Sequence, residues 1–264
     1  MSLPVSGAPP QSVRLPQQPG REKTDHPEKV SAIVLAAGQS RRMGQVDKIR
    51  AILNRAPLVA WSIDTFERCS DIDEIIIVSN PENISYLRGL VTGSHPKGLS
   101  SQRPWTKVKD VCLGGERRRD SVKEGLTRAT DCEWVIIHDA ARPFVTTDMV
   151  KDGLREAKRW GAATAAIPVS DTLKQVAADN KVIQTLSRDG VWAIQTPQVF
   201  RYDILWEAHN SVSQDVTDDA SLVELSHKDV AVYQGSPLNI KITGPSDLVL
   251  AEAIARIYED RDRI

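Results

Sequence analysis

The stretch Ser31-Ala32-Ile33-Val34-Leu35-Ala36-Ala37-Gly38-Gln39-Ser40-Arg41-Arg42-Met43-Gly44 joins an apolar, β-branched run to a loop of small and basic residues. Its first part, Ser31–Ala36, is apolar on both faces, as a central strand of a parallel sheet must be. Glu74–Ser79 and Glu133–His138 read the same way, and Lys107–Cys112 and Ala162–Pro168 are two further strands. Helical patterns lie between them. Pro57–Cys69 opens on a proline and gathers Leu58, Trp61, Ile63 and Phe66 largely on one side. Asp120–Ala129 and Thr147–Trp160 follow, the latter with Thr146 or Thr147 as N-cap, and Ser246–Tyr258 carries Leu250, Ile254 and Ile257 at helical spacing. Strand–helix alternation of this kind predicts βαβ units in an α/β, doubly wound, mostly parallel sheet spanning residues 30–264.

Working outward, two segments break the rhythm. Thr172–Val176 and Lys181–Leu186 flank Ala177-Ala178-Asp179-Asn180, whose Asp-Asn pair suits a turn. They predict an inserted β-hairpin, an arm at about 170–190 with too little apolar surface to stand alone. A second copy of the chain is the expected partner. Residues 1–29 hold six of the 15 prolines amid Gln, Ser and Gly, a composition that predicts a mobile tail. The tail lacks the apolar stretch of a secretory signal. A transit peptide stays open as an alternative, since Arg14, Arg21 and three serines fit one while the prolines oppose an amphipathic helix.

The 264 residues carry 34 Lys+Arg against 35 Asp+Glu, a balance that argues against a nucleic-acid partner, which needs a basic surface. No apolar run approaches the roughly 18 residues of a membrane helix. Cys69, Cys112 and Cys132 are too scattered for a disulfide framework or a CxxC metal site, so a reducing, cytoplasmic setting is expected.

In an open parallel sheet, ligands bind beyond the carboxyl ends of the strands. After the first strand, small residues let the backbone approach a ligand while Arg42 and Lys48 supply positive charge for phosphate; a solvated turn with surface arginines is the other reading. The segment matches neither G-x-x-x-x-G-K-[ST] nor G-x-G-x-x-G. After the third strand, Gly114-Gly115-Glu116-Arg117-Arg118-Arg119-Asp120-Ser121 opens a helix; by itself it reads as a turn and an exposed helix face. After the fourth, His138-Asp139-Ala140-Ala141-Arg142-Pro143 places a carboxylate at the crevice, where it could meet a ribose hydroxyl, a metal-held water or an acceptor substrate. An Asp139–Arg142 ion pair is the structural alternative, and His138 is taken as a core histidine. Ser211–Ala220 and Arg256–Arg263 read as solvated helix faces.

Seven collinear segments together resemble the 2-C-methyl-D-erythritol 4-phosphate cytidylyltransferases of the non-mevalonate isoprenoid pathway. They are Leu35-Ala36-Ala37-Gly38 with Arg41-Arg42-Met43-Gly44, then Gly114–Val122, His138–Pro143, Asp171-Thr172-Leu173-Lys174, Thr196-Pro197-Gln198, Thr217-Asp218-Asp219-Ala220-Ser221 and Asn239-Ile240-Lys241-Ile242-Thr243. The resemblance implies a Rossmann-like nucleotidyltransferase sheet with a β-hairpin dimerisation arm, hence a homodimer. It implies cytidylyl transfer from CTP to 2-C-methyl-D-erythritol 4-phosphate with Mg²⁺. On this resemblance Arg42 and Lys48 stabilise the transition state. Ala36, Ala37, Gly38, Gly115, Glu116, Ser121, Asp139 and Ala140 bind the nucleotide, and Asp139 is a candidate metal ligand unless the CTP phosphates hold the ion. Arg142, Thr172, Arg188, Thr196 and Lys241 bind the acceptor. One departure stands out. The family usually has a longer loop ending in Pro-Lys-Gln, whereas Met43-Gly44-Gln45-Val46-Asp47-Lys48-Ile49 is short and is similar to the loop of molybdenum-cofactor guanylyltransferases. Two other readings remain, a ribitol 5-phosphate cytidylyltransferase and a non-catalytic nucleotide-binding module.

Overall fold

The computed structural model describes residues 28–38, 47–93, 104–129 and 131–261. The chain runs from β1 (Val30–Ala36) through a small hairpin, β2 (Ile52–Leu53) and β3 (Ala56–Pro57), into α1 (Leu58–Arg68) and β4 (Glu74–Ser79). Next come α2 (Ile84–Thr92), β5 (Val108–Leu113), α3 (Arg118–Leu126), β6 (Trp134–Asp139), α4 (Thr147–Trp160) and β7 (Ala162–Pro168). A second hairpin, β8 (Leu173–Val176) and β9 (Val182–Leu186), precedes β10 (Trp192–Arg201). The chain closes with α5 (Tyr202–Ser211), α6 (Asp219–Leu225), β11 (Ala231–Gln234) and α7 (Pro245–Arg261). Residues 1–27 of the tail and residues 39–46, with Arg42, lie outside the described residues.

Seven strands form one sheet in the order β11-β7-β10-β6-β1-β4-β5. Every pairing is parallel except those of β10, which runs antiparallel to both β6 and β7. The three strands read as central, β1, β4 and β6, are buried on both faces. Alternate side chains supply two cores: Ile33, Ile76, Val78 and Ile137 face the layer of Val122 and Leu205, while Val34, Ile75, Ile77 and Ile136 face that of Ile63 and Leu154. Helix α4 shows how local chemistry sets the ends. Thr146 accepts the Met149 N–H at 3.2 Å, and Gly161 closes the helix at φ +89°, a conformation that favours glycine.

Thr196-Pro197-Gln198 lies within a ten-residue antiparallel strand, β10, whose pairing with β7 slips between Ile194 and Gln198, at the proline that cannot donate to the ladder. Two expectations need correction. Helix α3 begins at Arg118, two residues before the expected start, and this turns Arg118 inward. Ser211–Ala220 is not a solvated helix face: α5 ends at Ser211, and α6 starts at Asp219, which is buried.

Candidate active site

The β1 connection crosses to β4 on one side and the β5 connection returns to β6 on the other, so the switch point lies at the carboxyl ends of β1 and its neighbours. A cleft of about 610 Å³ opens there. Ala37, Gly38, Lys48, Gly115, Glu116, Ser121, Asp139 and Lys241 line it. Ala36 and Ala140 lie just beneath, fully buried. The Gly114-Gly115 pair is required by packing, because a Cβ on Gly114 would stand 2.5 Å from Ser121 Oγ and 2.9 Å from Ala37 Cβ. Close approach of β1 and α3 therefore leaves backbone groups at the cleft wall. The Lys48 ammonium sits beside Gly38, 3.8 Å from where a Cβ would project.

A second cavity of about 310 Å³ adjoins the first and shares Arg118, Ser121, Asp139 and Lys241 with it, adding Arg142. Asp139 is the hinge between the two. Its Oδ2 accepts from Lys241 Nζ at 2.6 Å, and its Oδ1 lies 3.5 Å from Arg118 Nε. Burial opposes ionisation of this carboxyl, but Arg118 and Lys241 outweigh it and hold it well below the usual carboxylate range. The alternative Asp139–Arg142 ion pair is not formed; Arg142 donates instead to the Asn239 carbonyl at 2.8 Å.

Arg118 is the functional residue that sequence reasoning missed. Successive residues on a helix point about 100° apart. Consequently the three arginines diverge. Arg117 pairs with Asp120 at the surface (2.9 Å), and Arg119 donates to the Gln214 and Val212 carbonyls at 2.6 and 2.7 Å. Arg118 turns inward and donates to Asp219 Oδ2 at 2.7 Å. Burial works against its charge, yet Asp219 and Asp139 together raise its pKa. The available signal was the pairing of two motifs, Arg117-Arg118-Arg119 and Asp218-Asp219, but charge runs read singly look solvated.

His138 is a core residue. Its Nε2 lies 3.0 Å from the Arg142 carbonyl, its Nδ1 lies 3.1 Å from Thr196 Oγ1, and burial lowers its pKa to about 4. Thr196 accepts the Asp139 N–H at 3.1 Å, and the remaining proton of its hydroxyl can serve His138 Nδ1, which places the ring N–H on Nε2. Thr196 is thus buried behind Asp139 and lines neither cavity. Thr172 and Arg188 are also absent from both; they are exposed on the arm, where Arg188 donates to the Ser170 carbonyl.

Comparison with known proteins bears directly on this cleft. The family model described as 2-C-methyl-D-erythritol 4-phosphate cytidylyltransferase matches residues 30–257. The chain belongs to that family. A Dehalococcoides mccartyi protein of that name is 42% identical over 229 residues, covering 87% of this chain and 97% of the relative. The 2-C-methyl-D-erythritol 4-phosphate cytidylyltransferase of Thermus thermophilus superposes with a TM-score of 0.68 at 32% identity, covering 86% of this chain and 99% of that one. The 4-diphosphocytidyl-2C-methyl-D-erythritol synthase of Anaerococcus prevotii gives 0.72 at 29% identity over 87% and 99%. Family membership accounts for the mostly parallel seven-stranded sheet.

Proposed function

We infer that the chain transfers the cytidylyl group of CTP to 2-C-methyl-D-erythritol 4-phosphate, giving 4-diphosphocytidyl-2-C-methyl-D-erythritol and pyrophosphate. The observation that carries this reading is the pair of adjoining cavities that share Asp139 and Lys241, one large enough for a nucleotide and the other suited to a small polar acceptor. CTP occupies the larger cleft with its base against Gly115, Glu116 and Ser121. The acceptor phosphate lies near Arg142 and Lys241. A phosphate oxygen attacks the α-phosphorus in line, the new P–O bond forms, the α–β bridge breaks, and pyrophosphate leaves. Lys48 and Arg42 bear the charge that develops, so catalysis is positioning plus electrostatic stabilisation. No step requires a protein nucleophile.

Mg²⁺ belongs to the same proposal. Asp139 is ionised at the cleft edge, and among the described residues no group of three or more His, Cys, Asp or Glu side chains could hold a metal alone. These residues fit an ion that takes one carboxylate and draws its other ligands from phosphate and water. When bound, the ion neutralises charge on the triphosphate.

The arm completes the reading. Val176, Val182, Ile183 and Leu186 are exposed on β8 and β9, and a lone two-stranded hairpin is marginal in water. A twofold partner would cover them and receive Arg188 at its acceptor cavity. The test is pyrophosphate release across CTP, GTP, ATP and UTP with 2-C-methyl-D-erythritol 4-phosphate or ribitol 5-phosphate. Turnover should appear with CTP and the first acceptor. Equal turnover with ribitol 5-phosphate or a preference for GTP would overturn the substrate assignment, and no turnover at all would favour a binding module.

A further inference from the structure

The short loop before Lys48 ends on an aspartate, and the structure gives that aspartate a job. Asp47 Oδ1 accepts the Ile49 N–H at 2.9 Å, and the Asp47 carbonyl accepts from Arg50 N and Ala51 N at 3.1 and 3.0 Å. Asp47 therefore caps a single turn that carries Lys48. Its other oxygen accepts from Asn83 Nδ2 at 2.5 Å. Asn83 is fully buried, and its amide oxygen accepts from Arg50 Nε at 2.7 Å. Arg50 Nη2 donates to the Glu82 carbonyl at 2.7 Å, and its guanidinium lies 4.8 Å from the centre of the Tyr86 ring. On the far side of Lys48, Ile49 is buried, and the Ala51 carbonyl accepts from Leu58 N at 2.8 Å.

We propose that Asn83, acting through Asp47 and Arg50, is a positioning residue for Lys48. One amide holds the residues on both sides of the lysine, offering a donor to Asp47 and an acceptor to Arg50. Only Asn or Gln presents both groups together. An Asp at position 83 would set two carboxylates against each other, and an apolar residue would leave Asp47 and Arg50 without these bonds. The clamp ties the Lys48 turn to the loop after β4, where Asn80 and Pro81 form part of the cleft wall. Lys48 is thereby fixed relative to the wall it faces.

This inference rests on the role given to Lys48, and the experiment separates the two. Steady-state kinetics are measured with CTP, Mg²⁺ and 2-C-methyl-D-erythritol 4-phosphate. Asn83→Asp is expected to lower kcat by roughly 10- to 100-fold, the scale of a misplaced catalytic group, with little change in the acceptor KM. The exchange Asn83→Asp with Asp47→Asn restores one donor and three acceptors in the same shape, and should return kcat to within about threefold of the parent. In the Lys48→Ala background the Asn83→Asp change should leave the residual rate unaltered, which a general loss of packing would not do. Should Asn83→Asp fail to fold, Asp47→Ala, at a partly exposed position, takes its place in both comparisons. A folded variant with the parent kcat, or an equal loss with and without Lys48, overturns the clamp. A Lys48→Ala enzyme as fast as the parent overturns the role of Lys48 instead.

Discussion

At Gly114 an added Cβ would strike Ser121 and Ala37, whereas at Gly190, two residues beyond Arg188, it would meet nothing within 4 Å. The two glycines mark two ways of building one end of a sheet. Around Gly114 the buried charges are paired: Asp139 has Lys241 and Arg118, and Arg118 has Asp219. Around Gly190 the chain is exposed from Ser187 through Ile194, and the arm keeps its apolar side chains in water. The second region holds Thr172 and Arg188, which line neither cavity. On the function proposed above, the sheet of one chain forms both cavities, and the arm would bring Arg188 to an acceptor only on a second copy.

Breaking the first region should cost most. Arg118→Met leaves Asp139 and Asp219 without their shared cation, and removing one partner of a buried charge network costs about 3–5 kcal/mol, read as a lowered Tm or urea midpoint. An unchanged midpoint would show that the network carries no stability. Lys48→Ala should lower kcat by about 10²–10³-fold, as loss of one charge-stabilising donor does. A raised KM for CTP with kcat intact would show that Lys48 only binds.

Perturbing the arm should cost less and affect only the acceptor. Arg188→Lys loses the bidentate grip on phosphate and should raise the acceptor KM by roughly tenfold while the CTP KM stays put. Mixing inactive Arg188→Ala with inactive Lys48→Ala protein sharpens the comparison. If Arg188 serves the partner, each mixed dimer has one intact site and activity partly returns. If subunits exchange and no activity returns, Arg188 works in its own chain.

A further effect is on acid stability. His138 has its pKa lowered to about 4 from an ordinary 6.5, so the unfolded chain takes up a proton before the folded one does. Its contribution is full above pH 6.5 and falls away as the pH drops toward 4. Replacing His138 with Gln should flatten that part of the stability–pH curve, followed by chemical denaturation at pH 4 to 7. An unchanged slope would mean that another group titrates there.

Much of the fold was legible because burial on both faces leaves a continuous apolar run, and β1, β4 and β6 each show one. β10 was not, since Pro197 interrupts the pattern and the slip in register hides its length. Helix α2 escaped notice although Ile84, Leu87 and Val91 recur at helical spacing, because it is only nine residues long and buries Leu87 alone completely. At the site, small residues after strand ends pointed to the cleft, while Arg118 and Asp219 stayed hidden. Their meaning depends on a contact across 101 positions, and no local window holds both halves. Asn83 stayed hidden for the same reason, its partners Asp47 and Arg50 lying 36 and 33 positions away.

Those long separations also bear on how the protein comes to life. Lys241 reaches Asp139 across 102 positions, and Arg118 reaches Asp219 across 101. Closing loops of about a hundred residues is entropically slow compared with forming neighbouring strand–helix units, so these ties are among the last to form. A nascent chain released only as far as β10 has both carboxyl ends of β1 and β6 in place but no ammonium for Asp139. If Lys241 serves the reaction as proposed, regain of activity after dilution from denaturant should lag the recovery of strand and helix signal, because it waits for the Lys241–Asp139 tie to close.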